Sequence, residues 1–250
     1  MSKFSIHVVG CGRGGTSLLF ALLDAHPDCE MVSETNSTAC LMPGEGVVAA
    51  PHQSLRARTA ERVDRFLAAC AAAADQSRKP IWGHKTTTEH VLGLYEPSIE
   101  DEGDFRPGNY FVERTRAIPT LFIVRDGRTC VPSKVRRTGQ PLDVAIARWR
   151  FSIHLLEDYR QRHDRLLVVR MEDLVLKPVE TLAAVCAFME LPYSAAMLAG
   201  TASGKIRPEC RQMGFDESVV ALSGNPPWVG LIEPELAMAG YPLVPGGTAA

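Results

Sequence analysis

Apolar positions along the chain alternate between short compact runs and longer segments with helical spacing. The run from residue 4 to residue 9 is followed by several glycines and then by leucines three to four positions apart, which predicts a strand, a loop and a helix. By the same criteria strands are predicted at residues 4–9, 29–34, 119–124 and 166–169, and helices at residues 16–25, 53–75, 128–137, 142–160 and 179–190. Strands that alternate with helices predict a parallel sheet covered on both faces.

Three stretches rich in glycine, proline and polar residues, at 35–52, 97–109 and 200–230, interrupt this pattern. We interpret them as loops over one domain, because loops at the strand ends of an α/β sheet frame its ligand crevice. The expected fold class is therefore α/β: a single domain over residues 1–250, with a central parallel β-sheet of four or five strands flanked by helices.

Composition and charge narrow the class of protein. The chain has 250 residues, of which 46% are hydrophobic and 22% charged, and a formal net charge of −2. These values are typical of a globular protein and exclude a disordered or collagen-like chain. A slightly acidic protein has no global positive field, so we expect no nucleic-acid partner.

The cysteines and the apolar runs indicate where in the cell the protein is expected. Seven cysteines are scattered without a CxxC pair, a pattern that favours reduced thiols and gives no metal signal. No run of 18 apolar residues occurs, so we expect no membrane insertion. A cytoplasmic protein without a metal is the resulting prediction, and the oligomeric state stays open.

The loop from Gly10 to Ser17 lies between the first strand and the first helix, where free N–H groups favour an anion. Gly10, Gly12 and Gly15 satisfy GxGxxG, and Glu30 follows at about the distance of a ribose ligand, which indicates an NAD(P)-binding oxidoreductase. The same residues nearly satisfy the kinase pattern GxxxxGK[ST], but a threonine stands where its lysine is required. A third interpretation rests on the cation inside the loop.

Arg13 begins the run RGGTSLL, which continues into LLDAHPD. This run resembles the 5′-phosphosulfate loop of sulfotransferases that use 3′-phosphoadenosine 5′-phosphosulfate (PAPS), a family with a P-loop-NTPase-like architecture. In that family a Lys or Arg begins an [RK]-S-G-T-[ST] motif, and here Gly14 replaces the serine. The resemblance implies that Arg13, Gly14, Gly15, Thr16 and Ser17 bind the phosphosulfate. Arg13 is also suited to stabilise charge on the leaving phosphate.

A second anion site is required, because PAPS carries a separate 3′-phosphate. Arg125 ends an apolar run and Ser133 follows eight residues later, which resembles the 3′-phosphate motif of the same family. Arg128, Arg136 and Arg137 add local positive charge. Pro132 removes a helical N–H next to Ser133 and can shift its hydroxyl. We expect Arg125 and Ser133 to bind the 3′-phosphate.

An acceptor hydroxyl loses its proton as it attacks sulfur, so a general base is expected nearby. The segment Ile81 to Thr86 resembles the family's short strand ending in Glu-Lys-[ST], with His84 in the acidic position and Lys85 retained. The resemblance implies that His84 is the base and that Lys85 contacts the sulfate or the acceptor. The competing bases are Glu34, Glu89, His90 and His154.

Two later segments, residues 166–192 and the MAGYP run, also resemble this family. Lys205, Arg207 and Arg211 are further candidates for contact with the nucleotide. The expected function is in-line transfer of a sulfuryl group from PAPS to an acceptor hydroxyl, with adenosine 3′,5′-bisphosphate (PAP) as product. We expect a carbohydrate or small-metabolite acceptor, while a phenol or a lipid headgroup stays open. The alternatives are an NAD(P)-binding oxidoreductase and a non-catalytic binder of sulfated or phosphorylated ligands.

Overall fold

A parallel sheet forms the centre of the described part of the chain, with its five strands in the order β2-β3-β1-β4-β5. The structure is a computed structural model that describes residues 4–43, 53–96, 103–202 and 215–243. The strands are β1 (Phe4–Gly10), β2 (Cys29–Ser33), β3 (Ile81–Thr87), β4 (Thr120–Val124) and β5 (Leu166–Arg170).

Helices connect these strands. They are α1 (Thr16–Asp24), α2 (Thr35–Leu41), α3 (Leu55–Gln76), α4 (Thr88–Leu92), α5 (Pro107–Thr115), α6 (Gly127–Thr138), α7 (Leu142–Arg162), α8 (Met171–Leu176), α9 (Pro178–Phe188) and α10 (Glu233–Met238). Short 3-10 helices occupy Ala195–Ala202, Glu217–Val219 and Val229–Leu231. Among the described residues no helix is long and apolar enough to cross a membrane.

The two faces of the sheet bury separate apolar clusters. On one face Ile6 and Val8 of β1 pack with Leu19 and Leu22 of α1 and with residues of α8 and α9. On the other face Phe122 of β4 packs with residues of α3, α5 and α7. Helices therefore cover both sides, as expected for strands buried on two faces, and the predicted α/β class is confirmed.

The order of the strands places the two predicted anion motifs side by side. β1 lies between β3 and β4, and Gly10 at its end is in register with Ile123. The chain builds β2 and β3 on one side of β1 and β4 and β5 on the other. In open α/β sheets ligands bind at the carboxyl ends of the strands where the order reverses, which here is the edge of β1 and β4.

Three local expectations differ from the structure. The stretch 35–52, expected to be a loop, contains α2, and α5 begins within the stretch 97–109. Strand β3 continues through Thr87, beyond the point where a short strand was expected to end. Helix α6 includes Pro132, in agreement with the helix predicted at residues 128–137.

Candidate anion-binding site

The glycine loop leaves the first turn of α1 without a side-chain cap. Gly15 is the N-cap residue, adopts a φ of 100° and caps no N–H with a side chain. Arg13 adopts a φ of 70°, which a non-glycine residue seldom does. The first N–H groups of a helix have no partner within the helix and favour an anion. Thr16 is buried and Ser17 is half-buried at this helix start.

Gly14 is fitted tightly inside the loop. Its N–H donates to the carbonyl oxygen of Cys11 over 2.8 Å. A Cβ atom at this position would lie 2.7 Å from that oxygen, closer than a carbon and an oxygen can approach. The loop in this conformation therefore accommodates glycine where the resembling motif has serine.

Arg125 follows β4 and ties the second junction to the glycine loop. Its side chain is buried, with 4% exposure. Nε donates to Thr129 Oγ1 over 2.9 Å, one Nη donates to the carbonyl oxygen of Arg13 over 3.0 Å, and the other donates to the carbonyl oxygen of Val219. Burial lowers the pKa of Arg125 from its usual value, but an arginine stays cationic at neutral pH.

Arg13, Arg125 and Ser133 lie on one cavity of about 420 Å³. Nε of Arg13 donates to Ser133 Oγ over 3.4 Å, across 120 positions of sequence. Among the described residues, its lining is Arg13, Arg125, Ser133, Arg136, Arg137, Ser218 and Val219. Four arginines around one concave space form a strong site for an anion. Sequence reasoning missed Ser218 and Val219, because no motif marks that loop.

Helix α6 is capped by the protein itself. The carboxylate of Asp126 accepts the N–H of Arg128 over 2.8 Å and forms a buried ion pair with the guanidinium of the same residue. The expectation that Arg128 adds positive charge to the site is therefore wrong, since Asp126 neutralises it. The start of this helix is occupied, and an anion here must be bound by side chains.

Lys85 lies beside the start of α1. The lysine is buried, with 3% exposure, and its Nζ donates to Ser17 Oγ over 3.3 Å and forms an ion pair with Glu34. Glu34 follows β2, adopts a φ of 57° and keeps a third of its side chain exposed. Ser17, Lys85 and Glu34 thus form a continuous polar row next to the glycine loop.

His84 lies on the opposite face of β3, because neighbouring residues of a strand point to opposite sides. It is fully buried, its ring lies 5.2 Å from Phe66, and Nδ1 bonds Thr86 Oγ1 over 3.1 Å. Burial lowers the pKa of His84 to about 3. The prediction that His84 is the general base is therefore wrong, since a side chain enclosed in this core cannot reach an acceptor.

The remaining candidates for a base are engaged elsewhere. Glu89 is paired with Lys134, His154 bonds Glu235 of α10 over 3.1 Å, and His90 bonds Thr87 Oγ1 over 3.1 Å. Lys205, Arg207 and Arg211 lie outside the described residues. Within the part of the chain that is described, no group of three or more His, Cys, Asp or Glu side chains could hold a metal ion.

Comparisons with known proteins agree with the geometry. Residues 119–195, which span β4 to α9, match the model of the sulfotransferase family. The chain is 28% identical over 203 residues to protein-tyrosine sulfotransferase of Drosophila melanogaster, covering 77% of this chain and 39% of that protein. It is 24% identical over 269 residues to protein-tyrosine sulfotransferase 1 of Danio rerio, covering 94% and 72%. The chain thus spans about two fifths of the Drosophila relative.

Solved structures share the fold. The sulfotransferase domain of the Synechococcus PCC 7002 olefin synthase aligns with a TM-score of 0.62 at 19% identity, covering 96% of this chain and 95% of that one. The sulfotransferase domain of the curacin biosynthetic pathway aligns with a TM-score of 0.63 at 17% identity, covering 96% and 98%. At such identities the likeness concerns the fold.

Proposed function

We propose, because residues 119–195 match the model of the sulfotransferase family and the chain is similar to two protein-tyrosine sulfotransferases, that it transfers the sulfuryl group of PAPS to an acceptor hydroxyl. The observation that carries this proposal is the cavity where Arg13 from the β1 junction meets Arg125 and Ser133 from the β4 junction. A nucleotide with anionic groups on both the 5′ and the 3′ side needs cations from two places. Two adjacent strand ends supply them.

The residues present fit PAPS. Arg13 and the chain from Gly14 to Ser17 would hold the 5′-phosphosulfate, while Arg125 and Ser133 would hold the 3′-phosphate. When bound, PAPS supplies the activated sulfuryl group. The guanidinium of Arg13 would stabilise the charge that develops on the leaving phosphate oxygen, because a fixed cation at that position lowers the barrier.

Glu34 is the base that the geometry favours. Its carboxylate is partly exposed at the end of β2 and is held by Lys85, which also holds Ser17 at the glycine loop. A carboxylate in this position can take the proton of an attacking hydroxyl. Lys85 is buried, so its proposed role is to orient Glu34 and Ser17.

The acceptor proposed here is a tyrosine of a protein. Two relatives bear the name protein-tyrosine sulfotransferase, and this supports a tyrosine hydroxyl over the carbohydrate or small metabolite expected from the sequence. A phenol with a pKa of about 10 is mostly protonated at neutral pH. A base is therefore needed to take the proton of the attacking tyrosine hydroxyl. A cytoplasmic location stays a prediction.

Two measurements test the proposal. Purified protein should bind PAP more tightly than AMP in calorimetry, because only PAP offers a 3′-phosphate to Arg125 and Ser133. With ³⁵S-labelled PAPS it should label a peptide that contains tyrosine and leave unlabelled the same peptide with phenylalanine. Equal affinity for PAP and AMP would contradict the nucleotide assignment. Label on a sugar but not on the peptide would overturn the acceptor.

The two other classes of protein make different predictions. An NAD(P)-binding oxidoreductase requires Glu30 at the ligand edge, but Glu30 is the second residue of β2, at the other end of the sheet, where it accepts a hydrogen bond from Ser77. A non-catalytic binder would bind PAP and transfer no label to any acceptor. The labelling experiment therefore separates binding from catalysis.

A further inference from the structure

Both backbone polar groups of Gly12 in the glycine loop form hydrogen bonds with side chains. Its N–H donates to both carboxylate oxygens of Glu89, over 3.2 and 3.0 Å. Its carbonyl oxygen accepts from Nζ of Lys134 over 3.0 Å. Glu89 and Lys134 also pair with each other, so one ion pair contacts both the N–H and the carbonyl of a single loop residue.

This pair is enclosed by protein. The side chain of Lys134 is 3% exposed and that of Glu89 is 19% exposed. Burial acts to raise the pKa of Glu89, but Lys134 and the N–H of Gly12 outweigh it and hold the pKa below its usual value. Burial acts to lower the pKa of Lys134, but its neighbours Cys11 and Glu89 outweigh burial and raise it. Both groups therefore remain charged at neutral pH.

The contact at Gly12 is tight, so that a side chain at this position would require Glu89 to shift. A Cβ atom at this position would lie 3.0 Å from Glu89 Oε1 and 3.3 Å from the carboxylate carbon. Glu89 comes from α4 and Lys134 from α6. Three separate segments therefore meet at one residue of the loop.

From this arrangement we infer that Glu89 and Lys134 are positioning residues, which hold the glycine loop in the conformation that binds the 5′-phosphosulfate. The inference rests on the proposed function. A buried ion pair by itself is weak support for stability, because desolvation offsets the attraction between the charges. The hydrogen bonds to the N–H and to the carbonyl oxygen of Gly12 give this pair a more specific effect.

The effect reaches the ligand through Arg13, which follows Gly12 directly. The peptide groups before and after the Gly12 Cα are both held, and this keeps Arg13 at its φ of 70° with Nε next to Ser133. The N–H of Gly12 points to Glu89, so the ligand is left to Arg13 and the residues after it. Loss of the pair should weaken the 5′ side of the site more than the 3′ side.

The test compares two ligands that differ only in the 5′-phosphate. The ratio of the affinities for PAP and for adenosine 3′-monophosphate measures what the 5′ side contributes. Glu89→Gln removes the negative charge and turns one acceptor oxygen into an NH2 donor, so that a single amide oxygen faces the two donors Lys134 Nζ and Gly12 N–H. We expect the ratio to fall about 10-fold, the scale of one weakened hydrogen bond at the 5′-phosphate. The control is Glu235→Gln, since Glu235 is a buried carboxylate paired with Arg150 on α7 and should leave the ratio unchanged.

The outcomes separate this inference from the proposed function. If wild-type protein does not bind PAP more tightly than adenosine 3′-monophosphate, the proposed 5′ site itself fails. If the wild-type protein shows the preference and Glu89→Gln keeps it, or weakens both ligands equally, the positioning role is overturned. Should Glu89→Gln fail to fold, the double variant Glu89→Gln with Lys134→Met decides, because it leaves no unpaired charge. We expect a reduced ratio there too, and a wild-type ratio would contradict the inference.

Discussion

The two strand–helix junctions of the site offer different groups to an anion. After β1, Gly15 gives α1 no side-chain cap, so the N–H groups of its first turn are open to a ligand. After β4, Asp126 caps α6 and neutralises Arg128. The first junction can bind an anion through its backbone, and the second must use the side chains of Arg125 and Ser133. A strand–helix junction thus binds an anion through its backbone only when its helix start is uncapped.

The polar neighbours of the two junctions differ as well. Beside α1 lie Lys85 and Glu34, which can orient a nucleophile and accept a proton. The cavity wall near α6 offers arginines and hydroxyls. We therefore expect substitutions at the β1 junction to change turnover and substitutions at the β4 junction to change nucleotide affinity.

The largest effect is expected at Glu34. Glu34→Gln should lower the turnover number roughly 10²–10⁴-fold, because the general base is lost, while the calorimetric affinity for PAP is kept. The control is Glu30→Gln, at the far end of the same strand, which should retain turnover. Unimpaired turnover in Glu34→Gln would assign proton transfer to another group.

Arg13→Ala should lower turnover roughly 10²–10³-fold, the typical loss when a donor to developing negative charge is removed. Steady-state transfer of ³⁵S from PAPS measures it, with the exposed Arg165 as control in Arg165→Ala. If only the Michaelis constant for PAPS changed and the turnover number did not, Arg13 would contribute to binding and not to the reaction. The proposed difference between the β1 and β4 junctions would then be wrong.

Arg125→Met should reduce affinity for PAP roughly 10–100-fold, since a hydrogen bond to a charged group contributes about 1.5–3 kcal/mol. Calorimetry should show unchanged affinity for AMP, which lacks the 3′-phosphate. At saturating PAPS the turnover number should be close to that of the wild type. Equal losses for both nucleotides would indicate that Arg125 acts through its bond to Arg13.

Gly14→Ser restores the residue of the resembling motif, yet we expect PAP affinity to fall on the order of 10-fold, because the new Cβ would displace the loop from its binding conformation. Gly230→Ser is the matched control, since nothing lies within 4 Å of a Cβ at that position. A gain in affinity for PAP in Gly14→Ser would show that the serine hydroxyl outweighs the strain.

The smallest effect concerns His84 and appears in stability. Burial lowers the pKa of His84 to about 3, so between pH 6.5 and 3 the unfolded chain binds a proton that the folded chain does not. The free energy of unfolding should therefore fall as the pH falls through this window. His84→Gln should flatten that slope by up to about 1.4 kcal/mol per pH unit in urea titrations. The control Gln161→Ala changes an exposed side chain that does not titrate, and it should leave the slope unchanged. If the dependence of turnover on pH were bell-shaped and His84→Gln abolished it, His84 would be the base after all.

The location of the elements was largely predictable from the sequence. Strand β1 and helix α1 occupy nearly the expected residues. A compact apolar run and leucines at helical spacing are compatible with few other secondary structures. Helix α2 was missed, since its polar sequence TNSTACL has no apolar face that marks a helix. In the structure α2 packs against α3, a tertiary contact that the sequence pattern does not reveal.

Some residues of the site could be predicted from the sequence and others could not. The motifs indicated Arg13, Arg125 and Ser133, and the structure brings these three together. The assignment of His84 failed because β3 extends through Thr87, and in a strand the side chain of every second residue points to the other face. Lys85 therefore faces the glycine loop and His84 faces the core.

By itself the sequence determined the alternation of strands and helices and the two anion motifs, since these depend on local apolar spacing and on residues close together in the chain. Only the tertiary structure decided which side chains meet. Parallel strands β1 and β4 bring Arg13 to Ser133, the end of β2 brings Glu34 to Lys85, and α4 and α6 bring an ion pair to Gly12. These contacts join residues far apart in the chain, and sheet order and register, which no local pattern encodes, determine them.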